Sequence, residues 1–361
     1  MLLRYTTLSR KPAIFKAMTG LTVALFDEVV WDLGPSYGAA AYERKERPGR
    51  QRAVGGGRQL RLGVRDEFLL TVVWLRHYFT QEALGYFFGV SDTTALRAIA
   101  RALPVLEAAG RDTMRQPPPS RRARLGVAEA LRAYPELAEL DDDSRVVDSW
   151  EQRTQRPTEH KEADDHYSSK KKAHTLKSQI VVELGTGSVR KVSPSVPGPV
   201  ADPPLLRDSG MRERLGPDHR AMGDLGYVGA DKDEGKDATG TATGRAKGKG
   251  ATGRAKGKGT TDNGDEDKKE KERPVGVTPR IVTPRRKPRG QPRLPEDVVF
   301  NRTFARARIV VEHSIRDIRI YQSLSQVDRH RRKGRERRVC AVVELRARRC
   351  RPGRRDQLRA A

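Results

Sequence analysis

Cysteine is nearly absent: Cys340 and Cys350 are the only two in 361 residues, and both lie near the Arg-rich end. Two thiols cannot build a disulfide scaffold or a four-cysteine zinc site, and their scarcity suits a reducing compartment. No apolar run approaches the roughly eighteen residues of a membrane-spanning helix. The N-terminus, MLLRYTTLSRKPAIF, lacks an unbroken apolar region and a small-residue cleavage site, so neither a membrane anchor nor a signal peptide is expected. Aromatic residues are 6% and apolar residues 36% of the chain, too few for all of it to fold tightly. Acidic residues are the other shortage: 47 Asp and Glu against 72 Lys and Arg leave a formal net charge of +25. That imbalance points to a polyanionic partner, nucleic acid before a membrane surface, because each cation placed on a phosphate releases a counterion. The length allows two domains and a sizeable core.

What is present begins with a helix. In FNRTFARARIVVEHSIRDIRIY, residues 300–321, Phe304, Ala307, Val311, Ile315 and Ile318 recur at three- and four-residue steps, the stripe of a helix laid on a core. Glu312 lies beside that stripe with Arg308 and Arg316 one turn away on either side. The acid is either held half-inside between cations or is an ordinary surface ion pair.

Residues 65–110 carry the grammar of a helix-turn-helix. Phe68, Val72, Leu75 and Phe79 form one stripe, Thr80 caps a short second helix, Gly89 ends it, and Ser91 caps a third. Ala95, Ile99 and Leu103 face inward, which turns Asp92, Thr93, Thr94, Arg97 and Arg101 outward, a polar and basic set suited to a major groove. A three-helix packing module with an ordinary charged face is the competing interpretation. Upstream, Leu21 to Leu33 is a short amphipathic piece, followed by Arg- and Gly-rich sequence that reads as a flexible basic linker.

After the prolines at 117–119 the composition changes, and a domain boundary is expected between Gln116 and Leu125. Val127 to Tyr134 reads as helix. Residues 145–150, RVVDSW, read as a short buried strand ending in an acid; Asp148, after two valines, would cost desolvation unless cations face it. In the polar loop that follows, Lys170, Lys171, Lys172, His174 and Lys177 stand near Tyr167, either a surface that grips a nucleic-acid strand or a solvated charge run. Ser178 to Leu184 alternates, Gly185 and Gly187 turn it, and Val189 to Ser193 returns as a hairpin partner. Pro203 to Leu215 reads as helix with Asp202 at its start, where capping is the simplest role. Residues 221–227, AMGDLGY, end a second apolar strand in an acid, Asp224, and Gly226 lets the backbone turn close to whatever Asp224 binds.

The ordered motifs Asp148-Ser-Trp-Glu151, YSSKKKAHTLKSQIVVE, SVRKVSPSVPG, GDLGYVG, TPRRKPRG and NRTFARARIVVEHSI resemble the DDE transposases of bacterial insertion sequences, in particular the IS-five group with its N-terminal helix-turn-helix. The resemblance spans most of residues 65–325. It implies an α/β fold, an RNase H-like mixed sheet with flanking helices, preceded by a small all-α helix-turn-helix domain. It implies that Asp148, Asp224 and Glu312 are the catalytic and metal-holding triad. Two Mg2+ ions, for which Mn2+ can substitute, would be bridged by Asp148 and shared out to Asp224 and Glu312. Water would cut the element's end, and the freed 3′-hydroxyl would attack target DNA in the same site. Arg308, Arg316 and Arg319 would hold phosphates; Arg319 stands where the family has Lys, and Ala305 where it has Tyr. Ser149 and Trp150 replace a small residue and Thr after the first acid. The implied partners are double-stranded DNA, as element ends and as target, and further copies of the chain; the implied location is the cytoplasm, at the bacterial nucleoid.

On this reading residues 1–64 are an N-terminal helix and basic linker, 65–115 the helix-turn-helix domain, and 126–228 the first part of the catalytic domain. Residues 229–273 are a low-complexity insert, 274–325 the second part of the catalytic domain with the Glu312 helix, and 326–361 a basic tail. The insert repeats ATGRAKGKG in tandem at 242–250 and 251–259 and lacks apolar periodicity, so disorder is expected. Arg280 to Arg293 is expected to contact phosphates, and Val339 to Leu345 is an apolar island able to add a final helix. The functional expectation is a transposase that binds terminal inverted repeats and performs metal-dependent strand cleavage and strand transfer. The alternatives are an inactive remnant, a regulator that keeps only DNA binding, and a nuclease without strand transfer.

Overall fold

The computed structural model describes residues 3–46, 49, 51, 60–115, 131–138, 140–141, 143–211, 215, 220–230, 281–329 and 334–350. Nearly all of the expected insert, and the start of the helix expected from Val127, lie outside these residues.

The N-terminal part is helical: α1 (Tyr5–Leu8), α2 (Pro12–Thr19), α3 (Val23–Glu43), α4 (Val64–His77), α5 (Gln81–Phe88) and α6 (Asp92–Arg115). Thr22 caps α3 by accepting the Leu25 N–H, and the helix runs on past Leu33 because Phe26, Val29, Leu33 and Tyr37 keep the helical spacing of buried positions. It thereby absorbs the first residues of the expected linker. Every residue of α4 from Glu67 to Leu75 is buried, which makes it the central rod around which α2, α3, α5 and α6 pack. Between α5 and α6 the chain turns at Gly89, whose φ of 61° suits a residue without a Cβ. Thr80 accepts the Ala83 N–H and the Ser91 hydroxyl accepts the Thr94 N–H, so both expected caps are present.

The remainder is a mixed sheet with helices on both faces. Its strands are β1 (Arg145–Arg153), β2 (Tyr167–Ser168), β3 (Ala173–Glu183), β4 (Val189–Val192), β5 (Val196–Pro197), β6 (Ala221–Met222) and β7 (Ile281–Val282). They run in the order β2-β3-β1-β6-β7, with β4 and β5 also paired to β3. β1 is antiparallel to β3 from Arg145 opposite Glu183 to Arg153 opposite Thr175, and parallel to β6, itself parallel to β7. Among the described residues the further α-helices are α7 (His160–His166), α8 (Asp202–Asp208), α9 (Pro295–Arg319) and α10 (Arg335–Cys350).

Strand alternation assigns the faces. Val146 and Trp150 of β1 share a core with Phe300, Phe304, Ala307, Val311 and Ile318 of α9. Val147 packs with Val181, Leu206, Ala221, Tyr227 and Ile281 on the opposite face. Asp148 therefore belongs to the α9 face. Gly187, at φ 66°, turns β3 into β4 directly beneath α9, where a Cβ would come within 2.8 Å of Val310.

Three expectations are corrected here. β1 and β3 extend into the stretch read as a polar loop, because pairing gives its polar side chains partners: Gln152 donates to the Ser323 and Gln326 carbonyls, and Thr175 donates to Glu151. The segment read as a basic tail holds α10, packed along α6, and four of its arginines, Arg335, Arg338, Arg346 and Arg348, are buried. Arg338 pairs with buried Asp328, Arg348 with Glu344 and Asp32, and Arg335 donates to Gln152 while lying 5.2 Å above the Trp150 ring. Burial pushes the Arg335 guanidinium down to about 9. Third, Arg285 of the expected phosphate loop is tied to Glu136 and Asp297 and stacks 4.3 Å over Phe300.

Candidate active site and DNA-binding helix

Asp148 sits mid-strand in β1 with its side chain 16% exposed. One carboxylate oxygen accepts the Ser149 N–H at 2.8 Å and the other accepts Arg308 Nη2 at 2.9 Å. Burial pushes its carboxyl up to about 6; Arg308 opposes that rise, and the nearby Asp224 and Asp202 carboxylates add to it. Asp224 follows β6, the parallel neighbour of β1, and its Oδ1 accepts the Gly226 N–H at 2.8 Å across a tight turn. A Cβ on Gly226 would lie 2.9 Å from both Asp224 Oδ1 and Asp202 Oδ2, so the turn needs glycine for these two carboxylates to stay where they are.

Asp202 is a residue that sequence reasoning placed only as a cap. α8 has no side-chain cap; the Asp202 carboxylate instead lies 3.3 Å from Lys177 Nζ and faces the same space as Asp148 and Asp224. The signal was the bare acid after SVPGPVA, which a helix start explained too readily. Glu312 stands on α9 one turn after Arg308, with its Oε1 3.7 Å from Arg308 Nη2. Its side chain is 60% exposed, which corrects the half-inside placement: the helix stripe turns it to the rim.

Asp148, Asp202, Asp224 and Glu312 line one cavity of about 690 Å³. Lys170, Lys171, Lys177, Arg316 and Arg319 line it too, so a carboxylate floor has cations around it. Among the described residues no three His, Cys, Asp or Glu side chains draw close enough to hold a metal ion. The donor set is nonetheless of the right kind, hard carboxylate oxygens around an Asp148 whose carboxyl is raised by burial and further by the neighbouring Asp224 and Asp202. Arg308 is the cation that now satisfies Asp148 and approaches Glu312.

The remaining expected residues divide. Lys170, Lys171 and Lys172 are exposed beside the β2–β3 turn. His174 is half-buried, its ring edge-on to Tyr167 at 5.5 Å, and the Lys177 stem is buried with its ammonium donating to the Val200 carbonyl at 2.6 Å. Arg316 and Arg319 are exposed. On α6, Thr93 and Arg97 are exposed and Thr94 half-buried. Arg101 is not on the outward face: its guanidinium grips Glu67, which is 1% exposed and also accepts the Tyr37 hydroxyl. A buried carboxylate on α4, far upstream in sequence, claims it, which helical spacing within α6 could not reveal.

The family model of the DDE superfamily endonucleases matches residues 147–261 and 275–347, just over half of the chain. The chain belongs to the DDE superfamily endonucleases. The break in the match, 262–274, falls at the end of the low-complexity stretch of this DDE endonuclease. The helix-turn-helix model of the same superfamily matches residues 60–112, which hold α4 to α6. A probable transposase for insertion sequence element IS702 of Microchaete diplosiphon is 24% identical over 324 residues, 89% of each chain. No solved structure matches. The matches name the superfamily and not the IS-five group. The expected RNase H-like mixed sheet and the helix-turn-helix in front of it are both present, and the superfamily's chemistry is that of a divalent-metal-dependent DNA nuclease.

Proposed function

We propose that this DDE endonuclease is a transposase that binds the terminal inverted repeats of its element through the helix-turn-helix and cuts and joins DNA at the acidic cavity. The observation that carries the reading is the placement of Asp148, Asp224 and Glu312, from β1, the turn after β6 and α9, around one cavity rimmed by cations. In this reading Asp148, Asp224 and Glu312 would hold two Mg2+ ions, which would supply activation of the attacking water and neutralisation of the leaving oxyanion. Lys170, Lys171, Arg316 and Arg319 take DNA phosphates at the rim, and Lys177 holds Asp202 in place beside the site through their 3.3 Å contact. Water adds to the phosphorus as the bond to the 3′-oxygen breaks, leaving a 3′-hydroxyl and a 5′-phosphate. That hydroxyl then attacks a target phosphodiester, its oxygen bonding to the phosphorus as the target's own bond from phosphorus to 3′-oxygen breaks and frees a target 3′-hydroxyl, so no protein nucleophile is required. Joining two ends calls for more than one copy of the chain on DNA, in the bacterial cytoplasm. The functional divisions follow the boundaries read from sequence, with α10 assigned to the core of the molecule.

A DNA-binding regulator without cleavage is the second reading. It is favoured by Arg308, which occupies the space between Asp148 and Glu312. The two separate on a plasmid carrying this gene with its flanking DNA. The transposase nicks at the flanking repeats only with a divalent cation, Mg2+ or Mn2+, and Asp224→Ala binds the same DNA without nicking it. A regulator binds that DNA and never nicks it.

A further inference from the structure

The outward arc of α6 holds a residue that polarity would not select. Ala95, Ala98, Ile99 and Ala102 face the core, whereas Asp92, Thr93, Leu96, Arg97 and Ala100 are exposed. At helical spacing Leu96 falls between Asp92, one turn before it, and Ala100, one turn after. It is 51% exposed, and Thr93 and Ala100 beside it are small, so nothing tall shields it from a surface approaching the helix.

The polar residues around it are partly committed. The Asp92 carboxylate accepts both the Thr93 N–H at 2.6 Å and the Thr93 hydroxyl at 3.2 Å, and the Ser91 and Thr94 hydroxyls pair at 2.9 Å. They shape the helix start. Arg97 is exposed and makes no hydrogen bond or ion pair among the described residues. A single exposed leucine is ordinary. This one stands at the centre of the exposed arc of α6, the last helix of the helix-turn-helix match, in a chain of net charge +25.

A B-DNA major groove offers one apolar group, the C5-methyl of thymine, and its commonest partner for a guanidinium is the O6/N7 pair of guanine. We infer that Leu96 packs on a thymine methyl and Arg97 pairs with a guanine at a neighbouring base pair, so that the recognised repeat contains both bases side by side. The inference rests on α4–α6 being the sequence-reading unit.

The test uses the full chain in a chelating buffer, first selecting bound duplexes from a randomised library and then measuring anisotropy on the consensus with each thymine replaced by deoxyuridine, which removes only the methyl. Wild type should lose roughly fourfold in affinity at one thymine, the worth of one buried methyl group. Leu96→Ala should bind the thymine duplex as weakly as wild type binds its uracil counterpart and show no further loss. Arg97→Ala should lower the preference for guanine at a neighbouring pair by about tenfold. A consensus whose thymines can all be replaced without loss overturns the inference and leaves the helix-turn-helix reading standing. Selection that returns no consensus overturns both.

Discussion

Asp148 shows what the site costs the metal-free protein. Its carboxyl is raised from 3.8 to about 6, chiefly by burial, so between those values the folded state binds more protons than the unfolded state. The contribution of this group to stability is therefore largest below pH 4 and falls as pH rises through 6. Asp148→Asn removes the penalty. In chelator, urea unfolding should show the variant more stable than wild type by about 1–3 kcal/mol at pH 7.5, with the difference shrinking toward pH 4. A variant less stable at pH 7.5 would mean that the Arg308 pair outweighs desolvation. Arg101 makes the opposite case. Glu67 is buried and leans on that guanidinium, so Arg101→Ala should cost about 3 kcal/mol of stability, read as a lower urea midpoint, before any effect on DNA is considered. If Arg101 served only DNA, affinity would fall and the midpoint would stay.

Among the elements, the helix-turn-helix was the most legible, because Thr80, Gly89 and Ser91 act locally: a cap, a left-handed turn and a second cap all lie within a dozen residues. The α9 stripe was equally plain. The strand acids were harder, since a lone Asp after two valines has several explanations and only the ordered motifs made Asp148 and Asp224 a pair. Asp202 was missed for a related reason: the start of α8 offered a local role that its side chain does not take. The C-terminal arginines were illegible in kind. Seven consecutive residues from Val339 to Leu345 are buried, but the arginines on either side enter the core because partners from outside α10 meet them there. Asp328 meets Arg338, Asp32 meets Arg348, and the Gln152 side chain and the Gly187 carbonyl accept from Arg335 and Arg346. Arg338→Ala leaves Asp328, buried at 0% exposure, without the Arg338 guanidinium. It should lower stability by about 3 kcal/mol in chemical unfolding, whereas Arg337→Ala, on the exposed side of α10, should change it by less than about 1 kcal/mol. Equal losses would show that α10 is held by its apolar residues alone.

For the whole molecule, the sheet order explains how distant residues reach one place. β1 lies at the centre with β6 parallel beside it, and α9 crosses the face that carries Asp148, so the three acids come to one cavity although the chain between the second and third includes the low-complexity stretch. α10 packs against α6, which ties the helix-turn-helix to the sheet through one continuous hydrophobic interior. A Cβ at Gly110 would run into the Cys340 carbonyl, so that contact is backbone to backbone. The excess of 72 basic over 47 acidic residues then acts on both parts at once, and DNA affinity should fall steeply with added salt.

The central claim is that Asp148, Asp224 and Glu312 act together on divalent cations. Mn2+ binding followed by electron paramagnetic resonance, with a duplex of the flanking repeat present, tests it most directly. Wild type should bind Mn2+ in competition with Mg2+, and Asp148→Asn, Asp224→Asn and Glu312→Gln should each weaken that binding at least tenfold while still binding the duplex. Mn2+ affinity unchanged in all three variants would contradict the account.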